Sequence, residues 1–180
     1  MVNPVTRERF VWRQTAASTG GAFAEFDLFL GPGATLAAPH AHPHQREDFR
    51  VERGAIVLRI GGQAEERLEA GAERSVAPGT AHVWGQTGPE EAHVVIRLTP
   101  ALRSEDFFET FCGLAVDGKA NRKGLPRNPL QLAVIADEFR REFALPSPAA
   151  RVIGRPVFAV LARIGRATGL RARYAAYAAD

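Results

Sequence analysis

The sequence predicts a mainly β chain, an antiparallel sandwich or barrel followed by a C-terminal helical extension. Three observations carry that expectation. From about Phe10 to Pro100, short alternating runs recur at roughly 8–12-residue spacing between glycine and proline turn signals. No alternation of strands with helices and no internal repeat interrupts them. After Pro100 the hydrophobic period changes from two to that of a helix. Residues 1–100 are therefore expected to form the β domain, with 101–180 packing on it or on a partner subunit.

The elements follow in order. In Ala22–Leu30, Glu25 and Asp27 point one way and Phe26, Leu28 and Leu30 the other. Phe49 and Val51 continue the pattern up to Gly54, and Ala55–Ile60 runs to a Gly61-Gly62 turn with Arg59 outward. Arg67–Glu69, Arg74–Val76, Ala81–Gln86 and Ala92–Leu98 complete the strands. Ser104 is expected to cap a short helix that presents Phe107, Phe111 and Leu114 on one face. A basic, turn-rich loop, Asp117–Arg127, precedes a helix opened by Asn128-Pro129 and stopped at Leu145-Pro146. A last helix is expected from Pro156 to about Thr168, with Gly169 just past its end.

Composition bounds the function classes. The chain has 180 residues, 46% hydrophobic and 24% charged, enough for a packed core. One cysteine excludes an intramolecular disulfide and any multi-cysteine metal site, and suits a reducing, cytoplasmic setting. The start, MVNPVTRERF, lacks the apolar run of a secretory signal. Net charge is +3, but six arginines and no acid lie in residues 143–179, so residues 1–142 are slightly acidic. That distribution, with no basic-aromatic interleaving, argues against a nucleic-acid partner. The arginine-rich tail can pack on the β domain or a partner subunit, or lie on an anionic membrane surface.

All five histidines fall between His40 and His93. In an extended segment His40, His42 and His44 share a face, and Glu47 follows a turn-like Pro43–Arg46 stretch. His82 comes from a later strand and shares its face with Trp84 and Gln86. Two imidazoles from one segment, one from another and a carboxylate can converge on a single divalent cation. Three nitrogens and one oxygen suit Fe, Mn, Ni, Zn or Cu.

These residues carry a family resemblance. Gly33-x6-His40-x-His42-x4-Glu47-x6-Gly54 resembles the first cupin motif, and Gly71-x5-Ala77-x-Gly79-x2-His82-x3-Gln86 the second. Three positions depart from the family pattern: Gly33 lies one residue too far from His40, Ala77 replaces proline and Gln86 replaces asparagine. The resemblance implies a jelly-roll β-barrel with His40, His42, Glu47 and His82 as ligands of one divalent metal ion per chain. It also implies a homodimer, and an activity of the oxygenase (quercetin-dioxygenase-like), isomerase, decarboxylase or cyclase kind.

Several residues keep open readings. His44 is an alternative ligand or a rim residue, and His93 is read as a surface or sheet-interface residue. Inward parity places Phe26, Phe49, Val51, Trp84, Gln86 and Ile96 along a substrate pocket, mainly apolar and suited to a hydrophobic or aromatic molecule. Trp84 serves equally as core, and Phe49 is read first as core. Cys112 is read as a buried hydrophobe. Glu47 is the expected proton acceptor, and a non-catalytic sensor or storage module is the alternative to an enzyme.

Overall fold

Nine strands precede three helices in the computed structural model, which describes residues 1–32, 34 and 39–173. Gly33, the first motif glycine, lies outside the described residues. The strands are β1 (Val2–Asn3), β2 (Glu8–Gln14), β3 (Ala24–Leu30), β4 (Arg46–Arg53), β5 (Ala55–Ile60), β6 (Glu66–Glu69), β7 (Glu73–Val76), β8 (His82–Gln86) and β9 (Ala92–Thr99). They form a six-stranded sheet in the order β1-β2-β3-β9-β4-β7 and a three-stranded sheet in the order β6-β5-β8, with every pair antiparallel. This is the mainly β, antiparallel architecture that the turn spacing predicts. Among the described residues the two ladders remain separate sheets rather than one closed ring.

Alternation explains how the sheets meet. In β3, Ala24, Phe26, Leu28 and Leu30 are buried, while Glu25, Asp27 and Phe29 are only partly so. Opposite them, Ile96 faces Phe26 on one side and Phe49 on the other. The three-stranded sheet contributes Ile56, Leu58, Leu68 and Trp84 to the same core. Outward positions carry ion pairs instead, such as Arg13 with Asp27 and Arg97 with Glu25. Gly54 makes the β4–β5 corner possible. Its φ is +73°, and a Cβ there would stand 2.9 Å from the Ala92 Cα. Gly54→Ala is expected to cost about 1–3 kcal/mol, read as a lowered thermal midpoint with an unchanged circular dichroism spectrum.

The helices are α1 (Ser104–Val116), α2 (Pro129–Glu138) and α3 (Pro148–Ala167). They bury a second core of Phe107, Leu114, Val134, Ile135, Phe139 and Ala162, and Phe108 packs against both cores. Three sequence expectations need correction. Ser104 is not a cap but the first helical residue, and its Oγ donates to Ala101 O while accepting from Gln45 Nε2. The second helix ends at Glu138, not Leu145, because Ala144 turns back to exchange both backbone hydrogen bonds with Ala41. The last helix starts eight residues early, behind Ser147-Pro148, and runs through Pro156, which has no N–H to give the preceding turn. Its end is as expected: Gly169 has a φ of +88°, and the Leu170 and Gly169 amides close back on Gly165 and Arg166.

Gly165 lets α3 approach α2, since a Cβ there would lie 2.7 Å from Val134 Cγ2. The opposite face of α3 leaves Val152, Ile153, Val157, Val160 and Ile164 exposed. Among the described residues, no helix is long and apolar enough to cross a membrane.

Candidate metal centre

His40 reaches the site through backbone pairing rather than a full strand. It exchanges both backbone hydrogen bonds with His82, at 3.0 and 2.8 Å, and so extends the β8 edge by one residue. The chain turns immediately after His42, so the expected run of alternating histidines stops there and His44 is exposed. Gly79, with a φ of +76°, donates its amide to His42 O at 2.8 Å. Glu47 lies on β4 opposite Val76 of β7 and Leu98 of β9.

These placements bring His40, His42, Glu47 and His82 together. One ligand atom from each lies within 4.8 Å of the others, and all four residues are buried. His42 Nε2 stands 3.3 Å and His82 Nε2 2.7 Å from Glu47 Oε2. Two carbonyls orient the rings: Glu142 O lies 2.5 Å from His42 Nδ1, and Thr80 O 3.1 Å from His82 Nδ1. A ring that donates its Nδ1 proton to a carbonyl presents a bare Nε2 lone pair to the centre. Accordingly His82 Nε2 and Glu47 Oε2 have no hydrogen-bond partner although they face each other. Two such buried groups 2.7 Å apart need a positive charge between them, a proton or a metal ion, and the three-nitrogen, one-oxygen donor set fits a divalent metal.

The electrostatics agree. Burial would raise the Glu47 carboxyl, but the charge and hydrogen-bonding capacity of His42 and His82 outweigh it, holding the group well below the ordinary carboxylate range. Burial likewise disfavours a charged His82, but the adjacent Glu47 carboxylate prevails and raises its pKa. Phe143 stacks on His40 at 5.2 Å, and Phe49 meets His82 edge-on.

The centre opens on a cavity with about 880 Å³ of empty space, its mouth included. Of the residues expected along a pocket, Phe26, Trp84 and Ile96 line it. Phe49 and Val51 do not: both are fully buried behind that wall, with Phe49 edge-on to Trp84 at 5.1 Å. Gln86 is also elsewhere, at the end of β8, donating to the carbonyls of Gly88 and Glu90 and so tying the β8–β9 turn. His93 lies on the outward face, stacked on Phe29 and 2.5 Å from Asp27 Oδ1. Cys112 is buried, touches the cavity and has its thiol pushed up to about 12, mainly by burial.

Sequence reading missed two contributions. Helix α1 supplies Phe107, Phe108 and Phe111 to the wall, the segment after α2 adds Phe143, and the basic loop adds Lys123 and Leu125. The other is Glu8, which shares the inward face of β2 with Phe10 and Trp12 and is partly buried in the cavity. Starting the β region at Phe10 hid it. Burial raises its carboxyl to about 7, against the opposing hydrogen bond from Thr6. A folded pKa above the unfolded one gives a contribution present below about pH 4.5 and lost as pH rises through 7. Melting wild type and Glu8→Gln across that range is expected to show the variant gaining relative stability as pH rises.

Residues 27–97 match the family model described as the cupin domain. Among solved structures the chain is similar to an uncharacterized conserved protein with a double-stranded β-helix domain from Klebsiella pneumoniae. The identity is 22%, over 53% of this chain and 78% of that one, with a TM-score of 0.46. It is also similar to a cupin-like protein from Thermotoga maritima, with 22% identity, 53% and 70% coverage and a TM-score of 0.45. A sugar phosphate isomerase from a cupin superfamily, from Silicibacter pomeroyi, gives 24% identity, 50% and 59% coverage and a TM-score of 0.43. No curated protein matches the chain.

Proposed function

We propose that this protein is a metal-dependent enzyme of the cupin kind, acting on a small hydrophobic or aromatic molecule. The supporting observation is the union of a buried three-histidine, one-glutamate cluster with a cavity walled largely by aromatic side chains. His40, His42, Glu47 and His82 would hold the ion, which when bound supplies Lewis acidity toward a ligand oxygen. The chain's own residues do the rest. Phe26, Trp84, Phe107 and Phe111 exclude water and seat an apolar body. Glu47 takes the proton-accepting role only when released from the ion, since its carboxyl is held well below the ordinary range while the cluster is closed. His44, exposed in the turn, stands apart from the four convergent residues, so the open positions are left to the ligand.

An oxygenase, isomerase, decarboxylase or cyclase reaction fits this arrangement, and a non-catalytic binding module is the competing reading. Incubating the metal-loaded protein with a small-molecule extract, followed by untargeted mass spectrometry, separates them. Conversion that disappears on chelation supports the enzyme; a retained but unaltered ligand favours the binding module. The reading is completed by a cytoplasmic homodimer joined through the exposed stripe of α3. Light scattering at twice 19.5 kDa is the expected result, and a 19.5 kDa particle would remove the dimer.

A further inference from the structure

The cavity has polar groups in two separate places. One is the metal-competent cluster. The other is formed by Asn3, Thr6 and Glu8, with Lys123 of the basic loop nearby in the wall. Strand register separates them. Glu47 is level with Leu98, which pairs with Ala24, whereas Glu8 pairs with Leu30, six residues further along β3 and roughly 20 Å of strand away. Between them the wall is apolar, made by Phe10, Phe26, Leu28, Phe108 and Ile96.

At this second place Glu8 is the group left for a ligand. Asn3 Oδ1 is already occupied by the amides of Val5 and Thr6. Thr6 Oγ1 donates to Glu8 Oε2 at 2.5 Å and holds the carboxyl in place. The loop is seated directly against this hairpin, because a Cβ on Gly124 would lie 2.8 Å from Thr6 Cγ2. Thr6 holds this carboxyl, and the wall around it is made mostly of phenyl rings and aliphatic side chains, so the carboxyl's remaining hydrogen-bonding capacity is what a ligand would meet.

We propose that Glu8, steadied by Thr6, is a second recognition pole that takes a hydroxyl of the bound molecule, whose far end presents an oxygen to the His40–His42–Glu47–His82 cluster. The inference rests on the metal-centred reading and adds the class of ligand: apolar in the middle, oxygen-bearing at both ends. A hydroxyl suits this carboxyl because it can accept from the protonated form and donate to the ionised one. An ammonium would serve the ionised form alone.

The test uses metal-loaded full-length protein and two series of probes, n-alkanoates and their ω-hydroxy counterparts of about eight to sixteen carbons, lengths scaled to the strand distance between the poles. Calorimetry is expected to find one length at which the hydroxy acid binds about tenfold tighter than the plain acid. Glu8→Leu should erase that difference, and Glu8→Gln should retain part of it. Metal content should be unchanged in both variants. Equal binding of the two series at every length, or a hydroxyl preference that survives Glu8→Leu, would overturn the proposal. So would failure of every probe to bind metal-loaded protein. Metal analysis of the same samples keeps the two readings distinct: protein that takes up no metal overturns the site assignment itself.

Discussion

His82→Ala is expected to weaken metal binding by more than about 100-fold, leaving protein purified from metal-replete cells essentially metal-free. Loss of a residue that merely orients a ligand costs about 10–100-fold, so loss of a ligand must cost more. His82 is the most buried of the four, and its Nε2 has no partner other than what would sit between it and Glu47 Oε2. The substitution should leave the fold standing, since the pairing with His40 runs through backbone atoms. It does remove one of the two imidazoles beside a buried, ionised carboxylate, so the metal-free variant should also melt below the metal-free wild type. Elemental analysis and a thermal melt read both effects. Metal retained at the wild-type level would take His82 out of the site.

Phe49→Ala carries the second large effect, an expected loss of about 3–5 kcal/mol of stability. Phe49 is 1% exposed and lies on β4 between Ile96 of β9 and Arg74 of β7. Its ring meets Trp84 and His82 edge-on, at 5.1 and 6.4 Å. Alanine would leave a void behind both, one a wall of the cavity and the other one of the four residues that would hold the ion, so metal affinity should fall as well. Denaturant unfolding checks the first effect and a metal-competition titration the second. A change within about 0.5 kcal/mol would contradict the packing described here.

How much of this was legible in the sequence follows from the range of the forces involved. The alternation of Ala24–Leu30 and the corner at Gly54 are local, and both stand where the pattern predicts. The resemblance to the two cupin motifs picked out the four residues that converge, whereas the shared face of His40, His42 and His44 alone left His44 open. Where local pattern yields to distant pairing, the reading failed. The segment after His40 reads as a strand, but pairing with His82 on one side and Ala144 on the other holds only two residues before the turn. The same Ala144 bridge cuts α2 short of Leu145. Pro156 reads as a helix start, yet Ser147-Pro148 supplies an earlier one and packing of α3 on α2 carries the helix through. The carbonyl of Glu142, which orients His42, could not be found from any motif, because every residue has a carbonyl. Its position depends on Arg103, whose backbone amide donates to the Glu142 carboxylate across the helices. Glu8 was detectable: two residues before Phe10, it has inward parity.

The central claim is that His40, His42, Glu47 and His82 form one metal centre. Native mass spectrometry with elemental analysis of the purified full-length chain tests it most directly. The expected result is one divalent ion per chain, lost on chelation and restored by adding the metal back. Protein that comes metal-free from metal-replete cells, and stays so when the ion is offered, would contradict it.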